Sequence, residues 1–324
     1  MMHTKSSAIH PDFPWLLHSD AGLFCVPGNF YLDPKVACYR AVISHAHADH
    51  FPRRVGEVHA TPATLALGPD KEKNKRIPHP FREKFKLEDV EISFFPAGHV
   101  PGSSQVLLEY KGQSILYSGD LFWGENKSSE PAEIPAIKPD LLLCESTFGW
   151  KPEHENAKES IQNLVIAAGL KPLLIAAYPL GKTQRITLLL NELFPEMPVF
   201  LHPLNFSMSR RCAALGYLAG NFKPWRRKEA DKSSRFAFIV SPRIFSSYAA
   251  DYHFYKVMAT GWNKKHEWTW MDANLPISDH ADANSLKEYI RQIQPGKIVF
   301  VHGKPDLLGD FCDSMGISYS VPAG

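Results

Sequence analysis

Four potential metal ligands lie close together in the segment HAHADH, at His45, His47, Asp49 and His50. The segment follows RAVIS, an apolar stretch that is typical of a strand. Alternate residues of an extended segment point the same way, so His45 and His47 can bind one ion. We expect the chain then to enter a helix, which would turn Asp49 and His50 towards a second position. Imidazole nitrogens and carboxylate oxygens bind zinc, so the segment predicts a metal site rather than a chance polar loop.

Two further candidate ligands follow apolar strands. His99 lies in FFPAGHVPGSSQV, where a strand ends in a glycine-containing loop, and Asp120 lies in ILYSGDLFW, where a strand ends at Ser-Gly-Asp. Alone, either residue is better interpreted as an ordinary loop residue. Beside HAHADH they predict additional ligands of the same site.

The composition excludes several classes of protein. The 324 residues are 44% hydrophobic and 22% charged, which is ordinary for a globular protein that buries a substantial core. No apolar run reaches the roughly 18 residues of a membrane span, and the first residues lack the apolar stretch of a secretory signal. The five scattered cysteines argue against a disulfide framework. We therefore expect a cytoplasmic protein that does not bind membranes.

The elements that must position these ligands change in character along the chain. Strand-like segments such as VEISFF, SQVLLEY and DLLLCES dominate the first part. From about Trp150, helical patterns such as AKESIQNLVIAAG alternate with buried strands such as KPLLIAAY. This alternation predicts a mostly parallel sheet. We place one module boundary near Phe148 and the return to the first module near Pro276.

The ordered motifs resemble the metallo-β-lactamase superfamily, whose signature is HxHxDH followed by a His and an Asp at one edge of a β-sandwich. The resemblance implies an α/β fold, an αββα sandwich, with two Zn²⁺ ions. His45, His47 and His99 would hold one ion, Asp49 and His50 the other, and Asp120 would bridge both. Asp33, in FYLDP, matches the acidic residue that orients ligands from behind. Mn²⁺ could replace zinc in vitro.

Three later residues narrow the resemblance to the β-CASP nucleases, which interrupt this sandwich with an α/β insert. They are Glu145 in LLLCESTFG, His280 in ISDHADANSL and His302 in KIVFVHGK. The implied domains are residues 1–148 for the first part of the metallo-β-lactamase domain, 149–275 for the insert and 276–324 for the returning part. His302 would complete the shell of the second zinc. His280 would contact the phosphate or protonate the leaving oxygen, with Glu145 orienting it.

Within that family the blocks PAGHVPGSSQVLLE, CESTFG, AAYPLGKTQRI and SDHAD are similar to bacterial ligase-associated DNA exonucleases. This similarity implies a DNA exonuclease in DNA repair, with a DNA ligase and a helicase as partners in the same pathway. The first alternative is an RNA-processing β-CASP ribonuclease, because His302 occurs at this position in relatives such as RNase J. A small-molecule hydrolase, such as a lactonase or thioesterase, should lack the insert and the three later residues. A non-catalytic scaffold should lack some of the ligands.

Basic residues of the insert are the candidates for substrate binding. Arg226, Arg227 and Lys228 lie in a basic segment that runs from Lys223 to Arg235 around Trp225, which would be available for base stacking. A solvated loop is the competing interpretation of this segment. The segment AAYPLGKT is not a phosphate loop, because Ala176 replaces its first glycine, but its Lys182 and the nearby Arg185 could still contact substrate. Thr260 and Gly261, in MATGW, resemble the family's turn near the scissile phosphate.

Overall fold

The computed structural model describes residues 6–69, 74–233, 235–250, 253–262 and 270–322. It divides the chain into two compact units. The sandwich unit comprises Met1–Glu125, Glu130–Glu153 and His280–Gly324, and the insert unit comprises Asn126–Ser129 and His154–Asp279. The predicted domain boundaries near residues 148 and 276 lie a few residues before these divisions and stay a prediction.

The strands, numbered in chain order, are β1 (Ser7–Ala8), β2 (Leu16–Ser19), β3 (Gly22–Cys25), β4 (Phe30–Leu32), β5 (Cys38–Val42), β6 (Val55–Ala60), β7 (Lys75–Pro78), β8 (Lys84–Leu87), β9 (Val90–Pro96), β10 (Ser104–Tyr110), β11 (Gln113–Tyr117), β12 (Leu141–Ser146), β13 (Leu173–Ala176), β14 (Val199–Leu201), β15 (Lys223–Pro224), β16 (Ala237–Val240), β17 (Tyr255–Ala259), β18 (Ala273–Leu275), β19 (Lys297–Gly303) and β20 (Ser318–Ser320). The α-helices are α1 (Pro62–Leu67), α2 (Ala157–Ala168), α3 (Lys182–Leu193), α4 (Pro203–Ala214), α5 (Arg227–Ala230), α6 (Ala283–Ile293) and α7 (Gly309–Ser314), and Pro242–Ser247 forms a 3₁₀ helix.

Two seven-stranded sheets form the sandwich unit. The first sheet has the order β1 to β7, and the second has the order β20-β19-β12-β11-β10-β9-β8. Each sheet has an antiparallel half and a parallel half. The parallel half comprises β4 to β7 in the first sheet and β11, β12, β19 and β20 in the second. The carboxyl ends of these parallel strands therefore meet at one edge of each sheet.

Alternating side chains of the second sheet fill two cores. On β12, Leu141 and Leu143 face the core that contains Leu16 and Phe30 of the first sheet, whereas Leu142 packs in a core with Leu286 of α6. A sheet that is covered on both faces needs such an uninterrupted apolar sequence. Leu65 of α1 packs against Ile43 and Val58 on the outer face of the first sheet. These layers are the predicted αββα sandwich, and the fold class is confirmed.

The insert unit contains a six-stranded parallel sheet in the order β15-β14-β16-β13-β17-β18. Leu173 and Ile175 of β13 face a core formed with α2 and α3, and Leu174 faces a core that contains Phe245 of the 3₁₀ helix. The predicted mostly parallel sheet is thereby confirmed. Among the described residues, no helix combines the length and the apolar character that crossing a membrane requires.

Candidate metal and catalytic site

Strand ends of the sandwich unit bring the predicted ligands together. His45 follows β5, His99 follows β9 and Asp120 follows β11. Strands β9 and β11 are both antiparallel to β10, so they run in the same direction and their carboxyl ends lie at the same edge. Glu145 lies on β12 and His302 on β19. Strand β12 pairs in parallel with both β11 and β19, so all three strands run in the same direction.

Backbone geometry holds the His99 and Asp120 loops against each other. The N–H of Phe122 donates to the carbonyl of Ala97 at 2.9 Å, and Gly98 and Leu121 form an antiparallel bridge. Gly119, which precedes Asp120, has a φ of +56°, and a Cβ there would lie 2.9 Å from the carbonyl oxygen of Ser104. A side chain at position 119 would therefore strain the backbone and displace the Asp120 carboxylate.

Three imidazoles and one carboxylate converge on a single point. His47 Nδ1 lies 3.2 Å from His45 Nε2 and 3.1 Å from His99 Nε2. Asp120 Oδ2 lies 3.5 Å from His45 Nε2 and 3.6 Å from His99 Nε2. Donor atoms bound about 2.0–2.1 Å from a tetrahedral zinc ion lie about 3.3 Å apart. The donor set therefore fits a metal ion that is bound by these four side chains.

A second donor set shares Asp120. Its Oδ1 lies 3.6 Å from His50 Nε2, which in turn is 3.8 Å from Oδ2 of Asp49. The Asp49 side chain is 81% exposed, and the exposed His302 has its ring centroid 5.6 Å from that of His50. The two carboxylate oxygens of Asp120 thus face different groups of imidazoles, which is what a bridging ligand requires.

The expected helix after HAHADH does not form. The N–H of Phe51 donates to the carbonyl of His47 at 2.8 Å, which makes one turn that is not continued. Pro52 follows and disfavours a helical conformation of the residue before it, so the turn ends there. The prediction of a helix was wrong, although this single turn still brings His50 to Asp120.

Behind the ligands lies a buried carboxylate, Asp33. It accepts hydrogen bonds from the Nδ1 of His50 at 2.9 Å, from the backbone N–H and hydroxyl of Ser44 at 2.7 and 2.5 Å, and from the Tyr117 hydroxyl at 3.1 Å. Sequence reasoning singled out Asp33 but missed Ser44 and Tyr117. Their only signal was their position, one residue before His45 and three residues before Asp120.

His280 and Glu145 form a pair beside Asp120. His280 Nδ1 lies 3.1 Å from Oε2 of Glu145, and His280 Nε2 lies 3.9 Å from Oδ2 of Asp120. Glu145 is fully buried and also accepts a hydrogen bond of 2.5 Å from the N–H of Leu121. The buried carboxylate therefore fixes the imidazole ring, and the second ring nitrogen faces the carboxylate of Asp120.

Burial holds the pKa of His45 well below its usual range, whereas His50 and Asp120 are held in their charged forms. Burial opposes charging of His50, but Asp120 and the hydrogen-bonded Asp33 outweigh burial and raise the pKa of His50 to about 10. Burial likewise opposes ionisation of Asp120, yet His50 and His280 hold the pKa of that carboxyl well below its usual range. A buried group of carboxylates and imidazoles that stabilises charge in this way is suited to a cation.

The insert residues predicted to bind substrate do not form one group. Lys182, at the start of α3, is buried with its Nζ 3.6 Å from Oδ2 of Asp279. Nη1 of Arg185 lies 3.6 Å from Oδ1 of Asp279 and donates to the carbonyl oxygen of Ser278. The N–H of Thr260 donates to Leu275 at 3.0 Å, in the turn that continues into the buried Gly261. These contacts lie within the insert unit.

The basic segment divides into exposed and packed residues. Trp225 stacks on Phe238 with ring centroids 3.9 Å apart, and Arg235 donates to the carbonyl of Val165. The prediction that Trp225 is available for base stacking was wrong for that ring face, because the core of the insert unit already occupies it. The exposed basic side chains of the segment around α5 include Lys223, Arg226, Arg227, Lys228 and Lys232.

Comparisons with known proteins find relatives that cover most of this chain and a family model that matches its last part. Residues 273–322 match the family model described as a Zn-dependent metallo-hydrolase RNA specificity domain. A probable DNA ligase from Opitutus terrae is 30% identical over 306 residues, which cover 90% of this chain and 29% of the relative. Cleavage and polyadenylation specificity factor subunit 3 from Dictyostelium discoideum is 27% identical over 282 residues, which cover 69% of this chain and 36% of the relative.

The chain thus spans about a third of the length of these two relatives. The fold is also similar to a crystal structure of a protein of unknown function from Enterococcus faecalis V583, with a TM-score of 0.61 and 17% identity. That similarity covers 88% of this chain and 79% of the other. At such low identity it concerns the fold alone.

Proposed function

The chain belongs to the β-CASP branch of the metallo-β-lactamase superfamily, and we propose from this premise that it is a zinc-dependent nuclease that hydrolyses nucleic-acid phosphodiester bonds. The observation that carries the proposal is that the two carboxylate oxygens of Asp120 face different imidazoles. Oδ2 lies near His45 and His99, and Oδ1 lies near His50. A small-molecule hydrolase of this fold explains neither the buried Glu145–His280 pair nor the insert unit. A decayed scaffold would not keep the whole donor set.

Two metal positions follow from the donor sets. His45, His47, His99 and Asp120 would hold the first ion, and Asp49, His50 and Asp120 would hold the second, with His302 completing its ligand set. Two zinc ions, when bound there, neutralise the phosphate and lower the pKa of water towards about 7. Asp33 orients the ligand histidines through the hydrogen bonds described above.

His280 acts on the substrate rather than on a metal. Glu145 accepts the hydrogen bond from its Nδ1 and leaves Nε2 directed towards Asp120. From this position Nε2 can donate a hydrogen bond to the scissile phosphate or a proton to the leaving oxygen. Asp49 and Asp120 contribute to catalysis as metal ligands, and Glu145 contributes by fixing the ring of His280.

We favour a DNA exonuclease that acts in DNA repair. The support is the similarity of 90% of this chain to part of a protein named as a probable DNA ligase. RNA cleavage is the second candidate, supported by the match of residues 273–322 to an RNA specificity domain and by the similarity to a polyadenylation specificity factor. Partnership with a DNA ligase and a helicase, and a cytoplasmic location, stay predictions.

Substrate contacts come from the insert unit in this proposal. Arg226, Arg227 and Lys228 are exposed, and their positive charge is suited to backbone phosphates. Thr260 and Gly261 contribute a turn that approaches the nucleic-acid substrate. Lys182 and Arg185 contribute positive charge, although the carboxylate of Asp279 lies 3.6 Å from each of them and offsets part of that charge.

The test is product analysis on matched end-labelled DNA and RNA, each single- and double-stranded, with His47→Ala as the inactive control. A ladder or mononucleotides from DNA, with RNA left intact, is the expected result. Cleavage of RNA alone would favour the second candidate. No cleavage of either substrate by the zinc-loaded protein would overturn the proposal.

A further inference from the structure

The hydrogen bonds around Asp33 determine where protons lie on two of the imidazoles. An ionised carboxylate can only accept hydrogen bonds, so Ser44, His50 and Tyr117 must all donate to it. The Nδ1 of His50 therefore carries hydrogen. Its Nε2 is the nitrogen that lies 3.6 Å from Oδ1 of Asp120.

Ser44 extends the same constraint to His45. A hydroxyl has one hydrogen, and that of Ser44 is directed to Asp33 at 2.5 Å. The Ser44 oxygen also lies 3.0 Å from Nδ1 of His45, and with its hydrogen already used it must accept there. His45 is therefore protonated on Nδ1, and its Nε2 is the nitrogen that faces Oδ2 of Asp120 at 3.5 Å.

Tyr117 is the remaining donor to Asp33. Its ring is fully buried in the core between the two sheets, and its hydroxyl lies 3.1 Å from the same Oδ2 that accepts from Ser44 and His50. A phenol that packs in a core usually needs a polar partner for its hydroxyl. Here that partner is the carboxylate that orients the ligands.

We propose that Ser44 and Tyr117 are positioning residues that, through Asp33, fix the tautomers that His45 and His50 adopt as metal ligands, so that one carboxylate directs the Nε2 atoms of both rings to the metal positions. This inference rests on the metal sites of the proposed function but not on its substrate. Partners behind metal ligands typically change metal affinity by about 10–100-fold. Loss of the Ser44 hydroxyl removes the only described acceptor of the His45 Nδ1 hydrogen bond, and loss of the Tyr117 hydroxyl removes one of the donors that hold Asp33.

The experiment measures zinc dissociation from the zinc-loaded chain by competition with a chromophoric chelator. Ser44→Ala should weaken zinc binding about 10–100-fold, and Tyr117→Phe about tenfold. Two controls lose matched hydrogen bonds elsewhere in the sandwich unit. Ser114→Ala removes a serine whose N–H and hydroxyl both donate to Asp140, and Tyr289→Phe removes a buried phenol that donates to Gln105 at 2.6 Å.

The controls should lower the melting temperature without changing zinc affinity. If both site variants do the same, Ser44 and Tyr117 are merely structural and the proposal is overturned. If Ser44→Ala does not fold, Tyr117→Phe, which keeps the buried ring, decides the question on its own.

A second measurement reads the tautomers directly. Long-range ¹H–¹⁵N correlation spectra of the zinc-loaded protein should show His45 and His50 protonated on Nδ1. In Ser44→Ala the His45 signal should shift while that of His50 stays, because His50 contacts Asp33 directly. Zinc binding through Nδ1 of either residue would refute the proposal. Neither measurement involves nucleic acid, so a protein that binds zinc as expected but cleaves no phosphodiester would refute the proposed function alone.

Discussion

His280→Ala tests whether a residue outside the expected zinc shells carries the chemistry. The substitution removes an imidazole whose Nδ1 lies 3.1 Å from Glu145 and whose Nε2 lies 3.9 Å from Asp120. A positioned acid or phosphate contact is worth about 10²–10⁴-fold in rate. At about 1.36 kcal/mol for each factor of ten, we expect the barrier to rise by about 2.7–5.4 kcal/mol.

The effect on stability should be much smaller. Glu145 loses one hydrogen-bond donor but keeps the N–H of Leu121. An unsatisfied buried group costs about 1–3 kcal/mol. The His280 side chain is 24% exposed, so water can enter the space that it leaves and solvate the carboxylate. We therefore expect a cost near the lower end of that range and a fall of a few degrees in melting temperature.

The assay compares zinc content, melting temperature and turnover of three variants. His47→Ala should lose zinc together with rate, because its Nδ1 lies 3.2 Å from His45 Nε2 and 3.1 Å from His99 Nε2 in the first donor set. His59→Ala is the matched control, since His59 also pairs with a glutamate, Glu57, at 3.0 Å, and it should lose stability but not rate per folded molecule. If His280→Ala loses zinc as His47→Ala does, His280 is a ligand and this reasoning fails. Full activity of His280→Ala would refute its catalytic role.

Three further predictions concern the metals, the substrate and pH. Elemental analysis of the purified protein should find two zinc equivalents per chain. Asp120→Ala should lose metal and activity together, and an active metal-free enzyme would refute the mechanism. A variant in which alanine replaces Arg226, Arg227 and Lys228 should have a higher apparent substrate constant, and the slope of log affinity against log salt concentration should flatten by about 2–3. An unchanged slope would indicate that these residues are only solvated surface. His59 and Lys75 lower the pKa of Glu57 from 4.5 to about 2, so ionised Glu57 stabilises the fold above about pH 4.5 and loses that contribution as the pH falls towards 2. Glu57→Gln should therefore flatten the fall of the free energy of unfolding at acid pH, measured by urea titration. An unchanged fall would contradict the assignment.

The fold and the first donor set were predictable because local signals and topology agree. RAVIS, ILYSG and LLLCES are apolar strands that end in polar residues, and strands that run in the same direction bring such ends to one edge. The spacing of His45 and His47 follows from the alternation of an extended chain. Sequence alone could therefore indicate which residues meet, although not the distances between their atoms.

Tertiary contacts decided what sequence reasoning missed or misjudged. Trp225 and Arg235 look like exposed nucleic-acid contacts in the basic segment, but Phe238 and the carbonyl of Val165 engage them within the insert unit. Lys182 looked free to meet a phosphate, yet Asp279, almost a hundred residues later, lies 3.6 Å away. Tyr117 reads as an ordinary strand residue, and only its long-range contact with Asp33 reveals a further role. No local pattern encodes such pairings.

The pairing of an imidazole with a carboxylate does not by itself mark function. His50 with Asp33, His280 with Glu145 and His59 with Glu57 all have separations of about 3 Å. The difference lies in the second ring nitrogen. Those of His50 and His280 face Asp120, whereas the second nitrogen of His59 lies 2.9 Å from His79, which stacks on Phe85. A carboxylate that holds one ring nitrogen can orient the opposite nitrogen for metal or substrate binding only where that nitrogen faces a ligand or substrate position. We therefore assign the first two pairs to the candidate site and expect the third to stabilise the fold.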